Sequence, residues 1–110
     1  MRFLKMSPHQ RSIFDQFKTT AQMHHHGPLK KDQEVPVHEH DRALYLLAEG
    51  EAQYVTSDGK QSEVLGARYE YDAVVVDAGE EHGWISLAIG TVIEHVVGHG
   101  EVDMVLAPAA

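Results

Sequence analysis

From Glu34 onward the chain alternates between short hydrophobic runs and turn-forming residues. The runs are rich in Val, Leu, Ile and Tyr and are too short for typical helices, so we predict strands. The predicted strands cover residues 43–48, 51–56, 61–65, 74–76, 82–88, 91–97 and 102–106. Many short strands separated by turns at this spacing are typical of an all-β sandwich or barrel.

The pair Asp58-Gly59 separates two of the predicted strands. A type I′ turn needs positive φ at both central positions, which Asp and Gly adopt readily. We therefore predict that residues 57–60 form the turn of a hairpin between strands 51–56 and 61–65.

The N-terminal part of the chain carries helix signals instead. Ser7 suits an N-cap, Pro8 suits the first helical position, and Gln10 completes a capping box. The apolar residues that follow, Phe14 among them, fall on one helical stripe. We predict a short helix over 8–18 that covers one end of the sheet or forms a dimer contact.

Residues 19–33 are polar and contain three adjacent histidines, His24, His25 and His26. Neighbouring side chains of a strand point to opposite faces, so three adjacent imidazoles do not easily share one metal. We interpret residues 24–28 as a solvated turn or an added purification sequence. The chain is therefore expected to divide into an N-terminal helix with a polar lead-in, 1–33, and a barrel, 34–110.

A second pair of histidines, His38 and His40, opens the longest apolar run, which Gly50 closes. Residues i and i+2 of a strand share a face, so both imidazoles are expected to point to one place. Imidazole is the commonest metal ligand in proteins. Downstream, a turn containing Gly79 leads to His82, which is a candidate for a third ligand.

These two stretches resemble the two sequence motifs of the cupin superfamily. The first family motif contains an HxH pair, three or four residues, a Glu and a closing glycine, and His38, His40 and Gly50 match it. In the second motif a glycine precedes a histidine by three positions, as Gly79 precedes His82. The resemblance covers about residues 34–97 and implies a cupin-type double-stranded β-helix, a jelly-roll barrel, preceded by a short helix.

The chain departs from the family motifs at several positions. Asp77 stands where the family usually has Pro, and Ser86 stands where it often has Asn. Leu44 follows His40 with three residues between them, and Ala43 precedes Gly50 with six residues between them, so the Glu ligand is missing from its usual place. The resemblance then implies a three-histidine metal site, as in some cupin dioxygenases, formed by His38, His40 and His82.

Other residues near these motifs are open to two interpretations. Asp41, Glu34 and His95 are alternative fourth ligands, and Glu34 is in phase with the HxH pair on a regular strand. Tyr45 and Trp84 are expected either to line the site or to belong to the core. The arginines, Arg42 and Arg68, either contact an anionic substrate or lie on the surface.

Composition limits the class of partner and of chemistry. The chain has 110 residues, no cysteine, nine histidines and a formal net charge of −8. Without cysteine, disulfides and thiolate ligands are excluded, so a metal must be held by His or carboxylate. The negative charge argues against nucleic acid and anionic membranes as partners. We see no secretory leader or membrane span and expect a cytoplasmic protein.

Taken together, these features predict a small metal-binding cupin. The expected cofactor is a divalent transition metal such as Fe, Ni, Mn or Zn, and the expected partner is a small molecule. One hypothesis is a metal-dependent dioxygenase acting on a small oxygen-rich anionic substrate, with isomerase or lyase chemistry as other options. The alternative is a cupin module that binds a metal or small molecule without turnover. The resemblance also implies a homodimer that pairs through edge strands.

Overall fold

The computed structural model of the chain describes residues 1–56, 58 and 61–108, and these residues form nine strands and two helices. Neither helix of the described part is long and apolar enough to cross a membrane. The elements are β1 (Arg2–Leu4), α1 (Pro8–Asp15), β2 (Met23–Leu29), β3 (Glu34–His38), β4 (Ala43–Glu49), β5 (Glu51–Thr56), β6 (Gln61–Gly66), β7 (Ala73–Val76), β8 (His82–Ser86), β9 (Thr91–Val97) and α2 (His99–Leu106).

The strands form two antiparallel sheets, which confirms the predicted all-β fold. The five-stranded sheet has the order β1-β7-β4-β9-β2, and the four-stranded sheet has the order β3-β8-β5-β6. Side chains from both sheets, including Tyr45, Tyr54 and Trp84, form one buried hydrophobic cluster. The candidate site lies against this cluster.

Strand β4 is apolar at almost every position because both of its faces are buried. Tyr45 belongs to the cluster formed by the two sheets, whereas Leu44 and Leu46 belong to a second cluster with residues of α1 and α2. Phe14 of α1 and Val102 of α2 are fully buried there. Because side chains alternate along β4, Tyr45 points towards the candidate site, whereas Leu44 and Leu46 point towards the helices.

Helix α1 begins as the sequence predicts. The Ser7 side chain accepts a hydrogen bond from the Gln10 backbone N–H at 3.1 Å, and the Gln10 side chain accepts one from the Ser7 N–H at 2.9 Å. This reciprocal pair is the predicted capping box. The helix ends at Asp15, earlier than the predicted residue 18, and hydrogen-bonded turns follow.

The prediction of a solvated turn at residues 24–28 is wrong. These residues lie in β2, which pairs with β9 so that His24 lies opposite His95 and His26 lies opposite Ile93. The strand was not recognised because histidines occupy the face on which an edge strand usually carries apolar residues. The predicted lead-in, 1–33, therefore contributes β1 and β2 to the five-stranded sheet.

The predicted last strand over 102–106 is also wrong, because these residues belong to α2. Val102 and Val105 are both fully buried, and their spacing of three residues places them on one face of a helix. A short apolar run does not by itself distinguish a buried strand from a buried helix.

The strands on either side of the predicted hairpin are present, and β5 pairs antiparallel with β6. The turn predicted at residues 57–60 lies outside the described residues, except for Asp58.

Candidate metal centre

The structure brings the three predicted histidines together at one end of the four-stranded sheet. His38 is the last residue of β3 and lies opposite His82, the first residue of β8. His40 follows β3 in an irregular segment. One ring nitrogen from each of the three lies within 4.8 Å of the other two. Within the part of the chain that the structure describes, this is the one group of three or more His, Cys, Asp or Glu side chains that is close enough to hold a metal ion.

Each of these rings is oriented by the backbone. A carbonyl oxygen only accepts hydrogen bonds, so a ring Nδ1 next to one carries the proton and leaves Nε2 with a free lone pair. Ligating histidines are held in this way by a hydrogen bond from their other nitrogen. The Nδ1 donors and carbonyl acceptors are His38 to Pro36 at 2.8 Å, His40 to Asp41 at 2.6 Å, and His82 to Glu80 at 2.9 Å.

The three Nε2 atoms converge on the hydroxyl group of Tyr45. The Tyr45 oxygen lies 2.7 Å from His40 Nε2, 2.7 Å from His82 Nε2 and 3.4 Å from His38 Nε2. A phenol has one hydrogen and can donate to one of these nitrogens. With neutral rings, the other nitrogens face oxygen lone pairs with no hydrogen between them, so this donor set fits a bound cation.

The turn before β8 is tied to the HxH segment. Gly79, with φ of +77°, donates its N–H to the carbonyl oxygen of His40 at 3.1 Å. Within β8, Gly83 lies so close to β3 that an added Cβ would be 2.7 Å from the Val35 carbonyl oxygen. The second motif therefore sets the distance between His82 and the strand that carries His38.

Burial favours the neutral forms of His82 and Tyr45. Burial lowers the pKa of His82 to about 4, so its ring is uncharged at neutral pH, the form that binds a metal. Burial also raises the pKa of Tyr45 well above its usual range, so the hydroxyl stays protonated when no cation is in contact.

The alternative fourth ligands are not brought to the centre. Asp41 is exposed, and Glu34 is exposed and pairs with Ile85. Glu34 shares a face with the HxH pair only if side chains alternate regularly along the strand. A register shift between Val35 and His38 interrupts this alternation. His95 is buried beside His40, with ring centroids 5.6 Å apart, but it is not one of the grouped ligands.

A second cluster of histidines, which the sequence interpretation missed, lies next to the centre. His24, His26 and His95 stack, with ring centroids of His26 and His95 5.4 Å apart and those of His24 and His95 5.3 Å apart. Together with His25, His38, His40 and Val97 they line a pocket of about 450 Å³. The spacing of His24 and His26 is the same as that of the recognised HxH pair and could have indicated it.

Two nitrogens of this pocket have no hydrogen-bond partner among the described residues. They are His26 Nε2 and His95 Nδ1, and both are buried. Burial lowers the pKa of His95 to about 3 and also lowers that of His26, so both rings are neutral at neutral pH. A buried polar nitrogen without a partner is costly, which makes the pocket receptive to a polar ligand.

The remaining candidates lie outside the pocket lining. Arg42 forms an ion pair with Asp103 at 2.6 Å, and Arg68 forms one with Glu51 at 3.0 Å, so both arginines are surface residues. Trp84 is 1% exposed and packs behind the site, with its ring centroid 5.5 Å from that of Tyr45.

Comparisons with known proteins support the fold. No protein-family model matches the chain, and no curated protein matches it in sequence. An RmlC-like cupin from Shewanella frigidimarina is 27% identical with a TM-score of 0.50, over 63% of this chain and 59% of that protein. A protein with a double-stranded β-helix domain from Klebsiella pneumoniae is 23% identical with a TM-score of 0.54, over 71% and 64%.

The cupin domain of Drosophila melanogaster CENP-C is 16% identical with a TM-score of 0.55, over 74% of this chain and 63% of that one. The chain spans about three fifths of the length of these structures. The Klebsiella and Drosophila matches, at 23% and 16% identity, are evidence for the fold alone. All three structures have the double-stranded β-helix of cupins.

Proposed function

The chain has the fold of the cupin superfamily, and from this premise we propose that it binds one divalent transition metal through His38, His40 and His82. The observation that carries the proposal is the convergence of three Nε2 atoms whose rings are each fixed by a hydrogen bond from Nδ1 to a backbone carbonyl. Such outer hydrogen bonds orient ligating imidazoles and increase their basicity.

The donor set suits borderline metals. Three imidazoles without a thiolate favour Fe, Ni, Mn or Zn over soft metals. A bound metal of this kind would supply Lewis-acid chemistry or, for Fe, redox chemistry. The protein backbone orients the three imidazoles, and burial keeps the His82 ring neutral.

The small-molecule partner is a compact, oxygen-rich anion. Neutral imidazoles do not cancel the charge of a divalent metal, so an anionic oxygen is the matching ligand for the centre. The adjoining pocket is lined by His26 and His95, whose unpartnered nitrogens can bond the distal polar group of such an anion. A 2-oxo acid or a β-diketone has this combination of chelating and distal oxygen atoms.

A dioxygenase acting on such an anion is the enzymatic form of this proposal. The three-histidine ligand set supports it through the family resemblance. A binding module without turnover is the second candidate, and it is favoured by the lowered pKa values of the pocket histidines His26 and His95, which make them weak general bases. Oxygen consumption by the Fe(II)-loaded protein with a panel of 2-oxo acids and β-diketones distinguishes the two.

The primary test is metal titration of protein purified without an affinity tag. Wild type is expected to bind one Zn²⁺, Ni²⁺ or Mn²⁺ per chain by isothermal titration calorimetry, and His40→Ala is expected to lose that binding. His9→Ala, which removes an exposed histidine of α1, is the matched control and should bind as wild type does. Equal, tight binding by His40→Ala would remove the proposed site.

Homodimer formation and a cytoplasmic location stay predictions. In the described sheets the edge strands available for pairing are β1, β2, β3 and β6. Light scattering coupled to size-exclusion chromatography would determine the oligomeric state.

A further inference from the structure

The position of one tyrosine hydroxyl carries an inference about the chemistry of the centre. The Tyr45 oxygen is within 3.4 Å of all three candidate ligand nitrogens, and two of these distances are 2.7 Å. In a four-coordinate site the donors surround the metal, and a fourth donor lies within about 3.5 Å of each of the other three. Tyr45 reaches it from the five-stranded sheet, whereas His38 and His82 come from the other sheet.

Without a metal, the centre has fewer hydrogen-bond donors than acceptors. All three Nδ1 hydrogens are used by backbone carbonyls, so the single phenol hydrogen is the one donor for three Nε2 lone pairs. The Tyr45 ring has no freedom to leave, because its side chain is fully buried against His82, Trp84 and His95. A cation bound by the imidazoles would therefore meet the phenol oxygen as well.

We propose that Tyr45 is the fourth protein ligand of the centre, binding the metal as a phenolate and taking the place of the missing carboxylate. This inference rests on the proposed metal site. On metal entry the Tyr45 O–H bond breaks, the proton passes to solvent, and a metal–oxygen bond forms. No electron is transferred. The ligand set then carries one negative charge, and the neutral histidine pocket is left for the exogenous anion.

A buried tyrosine elsewhere in the same core provides the matched control. Tyr54 is fully buried and stacks on His82 with ring centroids 6.3 Å apart. Its hydroxyl donates to the Glu80 carboxylate at 3.2 Å and not to a candidate ligand nitrogen. Tyr45→Phe and Tyr54→Phe each remove one buried hydroxyl and keep the ring, so both variants retain the packing of the core.

The test is optical, because a phenolate bound to a metal has its own absorption. Wild type loaded with Fe(III) or Cu(II) is expected to show a visible phenolate-to-metal charge-transfer band, and Zn²⁺ is expected to produce the ultraviolet difference spectrum of an ionised tyrosine. Tyr45→Phe should lose both signals and bind the metal about tenfold to a hundredfold more weakly, whereas Tyr54→Phe should keep both. Circular dichroism verifies that each variant is folded.

The other outcomes separate this inference from the metal site itself. Stoichiometric metal binding by wild type without either phenolate signal overturns the role of Tyr45 and leaves the three-histidine site intact. Binding by Tyr45→Phe but not by wild type would show that the phenol fills the centre, which overturns both proposals. Absence of binding by both proteins also overturns both.

Discussion

His82 is the most enclosed of the three candidate ligands. It is fully buried, stacks on Tyr54, and lies between a carbonyl at Nδ1 and the Tyr45 hydroxyl at Nε2. Because burial lowers its pKa to about 4, this ring is neutral over the whole physiological range. His82 is therefore ready to bind a metal without first losing a proton.

Metal affinity is expected to fall as the pH is lowered from 8 to 5, because a Tyr45 phenolate ligand releases one proton for each metal bound, so protons compete with the metal for this oxygen. A competition titration against a chromophoric chelator, corrected for protonation of the chelator, measures this dependence. An affinity that stays constant over this range would contradict ligation by a Tyr45 phenolate.

The grouping of the three histidines was predictable from the sequence, whereas Tyr45 was expected to line the site or to belong to the core and not to act as a ligand. The HxH spacing and the resemblance to the cupin motifs indicated His38 and His40, although His40 lies beyond the end of β3. The family spacing of three intervening residues after His40 leads to Leu44, whose side chain faces the helices. One residue further is Tyr45, on the face shared with the site, and its length allows the hydroxyl to reach the centre.

At the scale of elements, the pairing of β3 with β8 sets the distance between His38 and His82. Gly83 is the point of closest approach, since a Cβ there would lie 2.7 Å from the Val35 carbonyl and 3.0 Å from the Val37 nitrogen. Both of these contacts are with backbone, which moves only if β3 moves.

Gly83→Ala is therefore expected to displace β3 from β8, to destabilise the protein by about 1–3 kcal/mol and to weaken metal binding. Urea denaturation and metal titration measure the two effects. Gly100→Ala is the control, because nothing lies within 4 Å of a Cβ at that position of α2 and Ala favours a helix. Equal stability of both variants and wild type would mean that this approach does not hold the centre together.

Strand β2 places its histidines in the pocket. Substitution of these histidines is therefore expected to change the affinity for the small-molecule ligand and not the affinity for the metal. In metal-loaded protein, His26→Ala should reduce affinity for oxalate, a small chelating carboxylate, about tenfold, the loss expected for one hydrogen bond to a charged group. Metal affinity should be unchanged. His9→Ala, at an exposed position of α1 outside the pocket lining, is the control. Unchanged oxalate affinity in His26→Ala would exclude His26 from the ligand pocket.

Most strands were predictable because they alternate with turn residues, and the two errors share a physical cause. Residues of β2 look polar because they face a polar pocket, and residues of α2 look like a strand because only a short apolar run touches the core. In both cases the burial that gives the element its structure comes from the rest of the molecule and not from its own sequence.

For the molecule as a whole, the buried neutral histidines couple folding to pH. Burial lowers the pKa of His82 to about 4 and that of His95 to about 3, from an ordinary value of 6.5. Between these values the unfolded chain binds more protons than the folded chain. The stability contributed by neutral burial is therefore complete above pH 6.5 and is lost as the pH falls toward 3.

The metal-free protein is expected to lose stability on acidification below pH 6.5, by about 1.4 kcal/mol per pH unit for each histidine that titrates in this way. Urea denaturation in the presence of a chelator, at a series of pH values from 7 to 4, measures the slope. His95→Phe should make the slope shallower, whatever its effect at pH 7. A stability that does not change over this range would contradict the neutral burial of His82 and His95.

Because Trp84 packs against Tyr45, the intrinsic fluorescence of the protein can report on metal binding at the centre. The chain contains one tryptophan, and its ring centroid lies 5.5 Å from that of the tyrosine at the centre. Intrinsic emission excited at the indole therefore comes from a single chromophore beside the site. A paramagnetic ion such as Ni²⁺ or Cu²⁺ entering there should quench this fluorescence, whereas the same ion at a surface histidine far from the ring should not. Arrival and departure of the ion can then be timed in unlabelled protein by stopped-flow mixing.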